Sequence, residues 1–349
     1  MEKAIFSRFF TDLFKNLDNG EDSMKVGRIK RVMVAGIFFL LWASVLSWGA
    51  YPERDVTVYN GSSAGGVTDL ASRLLSDTVS KSIGQPVVVV NKPGAAHTIC
   101  ANLVANAKPD GYTLGALSAH AFTIIPHMRK LPYDYRKDFT WVATYTEYTS
   151  GLVVKADAPW KTLEDFLNDA KKNPGKIIYG SDGHGTGTHI LMEYIALKRG
   201  GIEWKHVPIA GGPKLATALL GGHIHAWAAA GSHVQMIKDK TVRLLVGFNN
   251  YRMKAAPDVP TLQELKITDL LVGTSLVFIA PKNLPQPILD KLEDAYVKAM
   301  KEPSYLQYLD KVEFPPVFRG SKETAKNIDL QYKGWGEMVR ATGIKEDQK

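Results

Sequence analysis

Residues 32–50, VMVAGIFFLLWASVLSWGA, form the one long uncharged apolar run of the chain. Lys25, Arg28, Lys30 and Arg31 precede it and the polar segment YPERD follows it. A basic stretch, an apolar stretch and a small-residue site make the layout of a secretory signal peptide, with Ser47 and Gly49 at −3 and −1 if cleavage falls before Ala50. A retained membrane anchor is the alternative, because the run is long enough to be marginal for spanning. Further upstream, Phe6, Phe9, Phe10, Leu13, Phe14 and Leu17 recur at helical spacing. That stripe reads either as a surface-binding helix or as the product of an upstream start codon, with Met24 as the true initiator.

After residue 50 the pattern becomes an alternation of short β-rich runs and amphipathic helical stretches. It predicts strands at VTVYN (56–60), PVVVVNK (86–92) and YTLGALS (112–118), with helices over TDLASRLLSDTVSKSIG and HTICANLVANAK between them. After a proline-bearing stretch at 155–160 the alternation restarts: helix TLEDFLNDAKK, strand KIIYGS, helix HILMEYIALKR, strand WKHVPI and helix PKLATALLGG. Strands RLLVGF (243–248) and LVFIAP (276–281) follow, and helices at 286–301, 303–311 and 322–342 finish the chain. Strand–helix–strand alternation implies parallel sheets with helices on both faces. No solenoid repeat or low-complexity segment interrupts it.

Composition narrows the picture. At 349 residues the chain is long enough for about two domains, and 45% hydrophobic residues exclude disorder for its bulk. The single cysteine excludes an internal disulfide framework and a cysteine-based zinc knuckle; Cys100 reads as a small buried hydrophobe in a helix. The net charge is +8, and the leader removes 7 basic and 5 acidic residues, leaving +6. These charges are scattered, with no basic block after residue 31, so nucleic acid is not expected as a partner.

Four glycine-rich turns each follow a predicted strand and lead into a helix: GSSAGGVTD (61–69), KPGAAHT (92–98), GSDGHGTGTH (180–189) and IAGGPK (209–214). Glycines let the backbone approach a ligand closely, and the free N–H groups of a helix start attract a negative group. One such turn is only a tight connection. Four at the same strand-end side of α/β sheets converge on a crevice, which points to an anionic ligand. Nucleotide fingerprints are missing: GHGTGTH spaces its glycines as G-x-G-x-G, and no G-x-x-x-x-G-K-[ST] occurs. No H-E-x-x-H is present and no nucleophile is evident together with its base, so no enzyme is expected. Among the nine histidines, His223 and His225 would share a strand face and His184 and His189 lie elsewhere, but no run of carboxylates completes a metal set. No metal and no cofactor are expected.

The segments YPERDVTV, SSAGGVTDLASRLL, GQPVVVVNKPGA, KPDGYTLGAL, LPYDYRKDFTWVA, KNPGKIIYGSDGHGTGTH, KLATALLGGHI, PDVPTLQEL, APKNLPQPI and WGEMVRATGI resemble, in order and spacing, the Bug family. These TctC-like proteins are the extracytoplasmic solute receptors of tripartite tricarboxylate transporters. The resemblance runs from about residue 51 to 344. It implies a two-lobed periplasmic binding protein of the type II kind, each lobe a mostly parallel sheet flanked by helices, with the ligand cleft between lobes. The expected division is 1–49 for the N-terminal extension and signal peptide, 50–155 plus 276–349 for lobe 1, and 156–275 for lobe 2. The implied ligand is a small di- or tricarboxylate or an aromatic carboxylate. The implied partners are the transporter's membrane subunits, the place is the periplasm, and the chain acts as a monomer. A ligand-sensing accessory protein and a secreted α/β hydrolase are the readings from other classes.

Carried over by motif, the resemblance implies ligand contacts from Ser63, Ala64, Gly65, Gly66 and Thr68 in the first lobe, with Ser118 at the end of the third strand. In the second lobe it implies Ser181, Thr186, His189, Ala210 and Gly211. Three positions depart from the family pattern. Ser62 stands where a Phe is common, His97 enters through PGAAH in place of Pro-Gly-Ala-Gly-Gly, and His225 replaces the Asp of Gly-Gly-x-Val-Asp. An Asp facing the ligand would suit an amino group, whereas an imidazole suits a carboxylate, hydroxyl or aromatic ring. On that ground an amino acid is the disfavoured ligand.

Overall fold

The computed structural model describes residues 51–345, and those from Arg54 onward form one compact unit. The leader, its cleavage site and the phenylalanine stripe lie outside the described residues. Among the described residues no helix is long and apolar enough to cross a membrane.

In chain order the elements are β1 (Val56–Asn60), α1 (Val67–Ile83), β2 (Val87–Asn91), α2 (Thr98–Ala105), β3 (Thr113–Ser118), α3 (His120–Thr123), β4 (Phe139–Glu147) and β5 (Ser150–Lys155). The middle of the chain supplies α4 (Leu163–Lys172), β6 (Ile178–Ser181), α5 (Gly187–Lys198), β7 (Lys205–Pro208), α6 (Gly212–Leu220), β8 (Ala226–Ala230), α7 (Val234–Lys238) and β9 (Val242–Gly247). It returns through β10 (Ser275–Pro281) and ends in α8 (Gln286–Ala299), α9 (Pro303–Val312) and α10 (Ser321–Thr342). Local chemistry sets several of these boundaries. The Thr162 hydroxyl accepts from the Asp165 amide at 3.1 Å, and the Asp165 carboxylate accepts from the Thr162 amide at 2.9 Å. This capping box starts α4. Gly84, in the left-handed conformation with φ 77°, ends α1.

The strands form two five-stranded sheets, ordered β2-β1-β3-β10-β4 and β7-β6-β8-β5-β9. As expected they are mostly parallel: four strands of each run the same way and one, β10 or β5, runs against them. In the first sheet β1 is parallel to β2 and β3, while β10 runs antiparallel to β3 and β4. The second repeats the plan, with β6 parallel to β7 and β8, and β5 antiparallel to β8 and β9. Strands β4, β5 and β8 are absent from the pattern-based expectation. β4 and β5 are joined by Tyr148 and Thr149 alone, with no turn cluster to separate them. β8 is AWAAA, an alanine run of weak strand preference that is held by being buried between β5 and β6. The expected lobe boundary also moves, because residues 150–155, assigned to lobe 1, are β5 and pair only within the second sheet.

Each sheet has its own core. Cys100, Val104, Leu117, Phe122, Trp141, Val277 and Ile279 pack together in the first lobe, with Cys100 fully buried in α2 and its thiol pushed up to about 12 by that burial. Leu152, Val154, Phe166, Tyr179, Ile190, Ile195 and Val246 pack together in the second. α10 joins both. Its Ile328 lies in the first core, while Trp335, Met338 and Val339, about two to three turns on, lie in the second. The chain crosses between sheets at Tyr148–Thr149 and again after β9, and Asn249 clasps the two crossings. Its side-chain oxygen accepts from the Ser150 amide at 2.7 Å, and its side-chain nitrogen donates to the Tyr148 carbonyl at 2.8 Å.

Candidate functional site

Parallel strands that feed helices leave their connecting loops on one side of a sheet. The loops after β1, β2, β6 and β7 are the four glycine-rich turns of the sequence, so each lobe offers a pair of them. The two sheets are connected at Tyr148–Thr149. Tyr148 reaches the first lobe, its phenol 2.7 Å from the Thr68 hydroxyl in the first turn of α1.

The first-lobe loop is held by a polar frame. The Asn60 side chain accepts from the Ser62 amide at 2.7 Å and donates to the Ser72 hydroxyl at 2.7 Å. Asp69 accepts from the Gly65 amide at 2.9 Å, from Arg73 at 3.0 Å and from Asn91 at 2.8 Å. Burial raises the Asp69 pKa, but Arg73, the Gly65 amide and Asn91 outweigh it and hold the carboxyl below its ordinary range. Asp69 is therefore an ionised strut of the loop. Ser63, Ala64 and Gly65 stand exposed at its tip, and Gly66 caps α1 without a side chain of its own. The amides of that helix start face outward.

His97 enters the same wall by an unusual backbone. Ala95, Ala96 and His97 take φ of 45°, 51° and 71°, three successive non-glycine residues in the left-handed region, each carrying a cost of roughly 1 kcal/mol or more. The His97 ring packs against Gly61, where a Cβ would collide with it. Its Nδ1 is buried without a hydrogen-bond partner. Burial alone pushes the His97 pKa down to about 4, and burial together with His97 takes His120 to about 3. His120 Nε2 lies 2.6 Å from the Thr274 hydroxyl, and its ring meets Trp335 edge-on at 5.6 Å. Ser118, at the end of β3, is buried and accepts from the His120 amide at 3.3 Å.

In the second lobe Ser181, Thr186 and His189 form one network. The Ser181 hydroxyl donates to the Gly183 carbonyl at 3.1 Å and lies 2.8 Å from His206 Nε2. Thr186 donates to the same carbonyl at 2.9 Å and caps α5 by accepting from the His189 amide at 3.4 Å. His189 Nδ1 accepts from the Gly185 amide at 3.0 Å, so the neutral ring carries its proton on Nε2. The His189 and His206 rings stack with centroids 3.9 Å apart, and His184 approaches His189 at 4.8 Å. Burial first, then the neighbouring imidazoles, bring His189 down to about 3 and His206 to about 4. This lobe reaches its partner closely: a Cβ at Gly187 would stand 2.9 Å from His120 Cε1 and 3.0 Å from Trp335 Cη2.

Ala210 and Gly211 are exposed at the start of α6. The Gly211 amide bonds Asp182, a carboxyl raised to about 6 by burial against that opposing bond. Asp182 also lies close enough to Tyr148 to oppose its ionisation. Ser62–Gly66, Thr68, His97 and Ser118 thus belong to the strand ends and loops of the first sheet, and Ser181, Thr186, His189, Ala210 and Gly211 to those of the second.

His225 does not join them. Its amide donates to the Ile178 carbonyl at 2.8 Å and its Nδ1 accepts from the Ile178 amide at 2.9 Å. That registers it at the start of β6 and β8, the end opposite Ser181, about 10 Å away at 3.3 Å per residue. The expectation that His225 faces the ligand is corrected: its ring completes the strand ladder, and the argument against an amino acid built on it falls. His223 is exposed at the same far end, and among the described residues no three His, Cys, Asp or Glu side chains are placed to hold one metal ion. Reasoning from the residues missed Tyr148, His120, His206, Trp335 and Asp182. Only Asp182 carried a local signal, since it sits inside the turn GSDGHG.

Residues 71–344 match the model of the tripartite tricarboxylate transporter family receptor. The chain is 38% identical over 299 residues to the UPF0065 protein in gbd 5'region of Cupriavidus necator, covering 85% of this chain and 90% of that one. Among solved structures, it superposes on a periplasmic transporter with a TM-score of 0.74 at 33% identity, covering 85% of this chain and 100% of the other. It superposes on MatC from Rhodopseudomonas palustris with bound malate with a TM-score of 0.71 at 26% identity, covering 83% and 100%.

Proposed function

The chain belongs to the tripartite tricarboxylate transporter receptor family, and from this we propose that it captures a small carboxylate in the inter-lobe cleft and delivers it to the transporter's membrane subunits. It is a solute-binding receptor and not an enzyme. The observation that carries the ligand class is the pairing of helix starts. α1 and α5 begin in glycine-rich loops of different lobes, with hydroxyls and neutral imidazoles about them and the Asp69 charge answered by Arg73. Partial positive charge from backbone amides suits a carboxylate and costs no buried cation. MatC, a structural neighbour at 26% identity, holds malate, which supports the same class.

Capture proceeds by hinge closure about Tyr148–Thr149 and the crossing after β9. The membrane partner then distinguishes the closed, liganded form. The ligand-contact set is Ser62–Gly66, Thr68, His97, Ser118, Ser181, Thr186, His189, Ala210 and Gly211. The protein works as a monomer in the periplasm after its leader is removed. A thermal-shift screen of the full chain against mono-, di- and tricarboxylates, aromatic ones included, tests the ligand class. A ligand of the folded state raises the midpoint by mass action, and a flat response across the panel overturns the reading.

A further inference from the structure

Two carboxyl groups stand in the loops that line the cleft, and they differ in how fully their oxygens are used. Asp69 is consumed by Gly65, Arg73 and Asn91. Asp182 is not. It accepts one backbone bond, from Gly211, and among the described residues no Lys or Arg pairs with it. Nearby hydroxyls are turned elsewhere: Ser181 and Thr186 donate to the Gly183 carbonyl, and Tyr148 is engaged with Thr68. A carboxylate offers about four acceptor sites, so half-buried Asp182, with a single bond, keeps acceptor positions open to a further donor.

We infer that Asp182 is a specificity-determining residue that accepts a hydrogen bond from a donor, a hydroxyl or an ammonium, carried beside the ligand's carboxylate. This rests on the carboxylate reading and deepens it. A plain diacid would bring only acceptors and negative charge to Asp182, which opposes binding. A ligand with a donor next to its carboxylate places the acid at the helix-start amides and the donor at Asp182. That arrangement satisfies both groups at once. The burial that lifts the Asp182 carboxyl to about 6 is relieved by the same donor. A site built around a hydrogen bond discriminates strongly against the analogue that lacks it, because its own buried group is left unpaired.

The test is isothermal titration of the full chain with two matched series: succinate, malate and aspartate, then adipate, 2-hydroxyadipate and 2-aminoadipate. The expected result is that a donor-bearing member binds about tenfold or more tightly than its parent diacid, and that D182A brings the pair within about threefold. D182N separates the two donors. Its amide oxygen still accepts, so a hydroxyl preference survives in D182N, whereas an ammonium preference, which needs the charge, is lost. Equal binding of parent and donor-bearing acids, or an unchanged ratio in D182A with D182N folded as wild type, overturns the assignment while leaving the carboxylate reading intact. If no member of either series binds, the assignment falls, and the carboxylate reading is decided by the wider thermal-shift panel.

Discussion

His233, at the start of α7, is fully buried, neither ring nitrogen meets a hydrogen-bond partner, and its ring lies edge-on to Trp227 at 6.1 Å. Burial pushes its pKa down to about 3 from 6.5. In the folded chain the ring stays neutral through mild acid, while in the unfolded chain it gains a proton below about 6.5. Stability held by the neutral ring is therefore complete above 6.5 and is lost as the pH falls towards 3. The slope is about 1.4 kcal/mol per pH unit, so between pH 7.5 and 5.0 His233 alone removes about 2 kcal/mol. His233→Leu abolishes this contribution and leaves those of His97, His120, His189 and His206 in place. Urea unfolding of both proteins, followed by circular dichroism at the two pH values, isolates the His233 share as a difference of differences. The wild type is expected to lose about 2 kcal/mol more than the variant on acidification. A difference under about 0.5 kcal/mol would mean that the folded imidazole titrates near its ordinary value, and would refute the argument from burial.

Three further outcomes follow from the site. Tyr148→Phe removes the bond to Thr68 across the hinge, so carboxylate affinity should fall about three- to tenfold by titration, with a stability change of about 1 kcal/mol or less. His225→Ala strips the Ile178 amide of its acceptor; unfolding should cost about 1–2 kcal/mol, with ligand affinity unchanged within error. A loss of affinity in that variant would return His225 to the site. Gly185 takes φ 69° and a Cβ there would run into Met128 of the other lobe, so Gly185→Ala should weaken ligand binding and leave the radius of gyration by small-angle scattering less responsive to ligand.

The legible part of this molecule is what neighbouring residues decide. Alternating runs revealed β1, β2 and β3, and the four glycine turns lie at strand ends where helices begin, because backbone conformation and helix starts are local. β8 escaped because AWAAA has no pattern of its own; its strand state is imposed by β5 and β6. His225 was misplaced for a related reason. Spacing by twos puts it on a face shared with His223, but only the pairing of its backbone with Ile178 decides which end of the sheet it occupies. Asp182 was in plain view within GSDGHG, yet its chemistry comes from Gly211 and Tyr148, which lie far off in sequence.

The helix α10 restricts what closure can be. Because Ile328 is packed in one core and Trp335, Met338 and Val339 in the other, a wide opening of the lobes would expose apolar surface at both ends of one rigid rod. Each of those side chains contributes about 1.5–3 kcal/mol by its burial, which is comparable to what a small ligand contributes on binding. The motion available at low cost is therefore a rotation that keeps α10 seated. Trp335 lies at the pivot, against His120 and beside Gly187, so the ring that fastens the second lobe also sets how near α5 can come to the first. On the proposed function, closure and specificity would share their parts: the contact that limits the approach of α5 would also set the distance at which Asp182 and the α1 amides engage one ligand together.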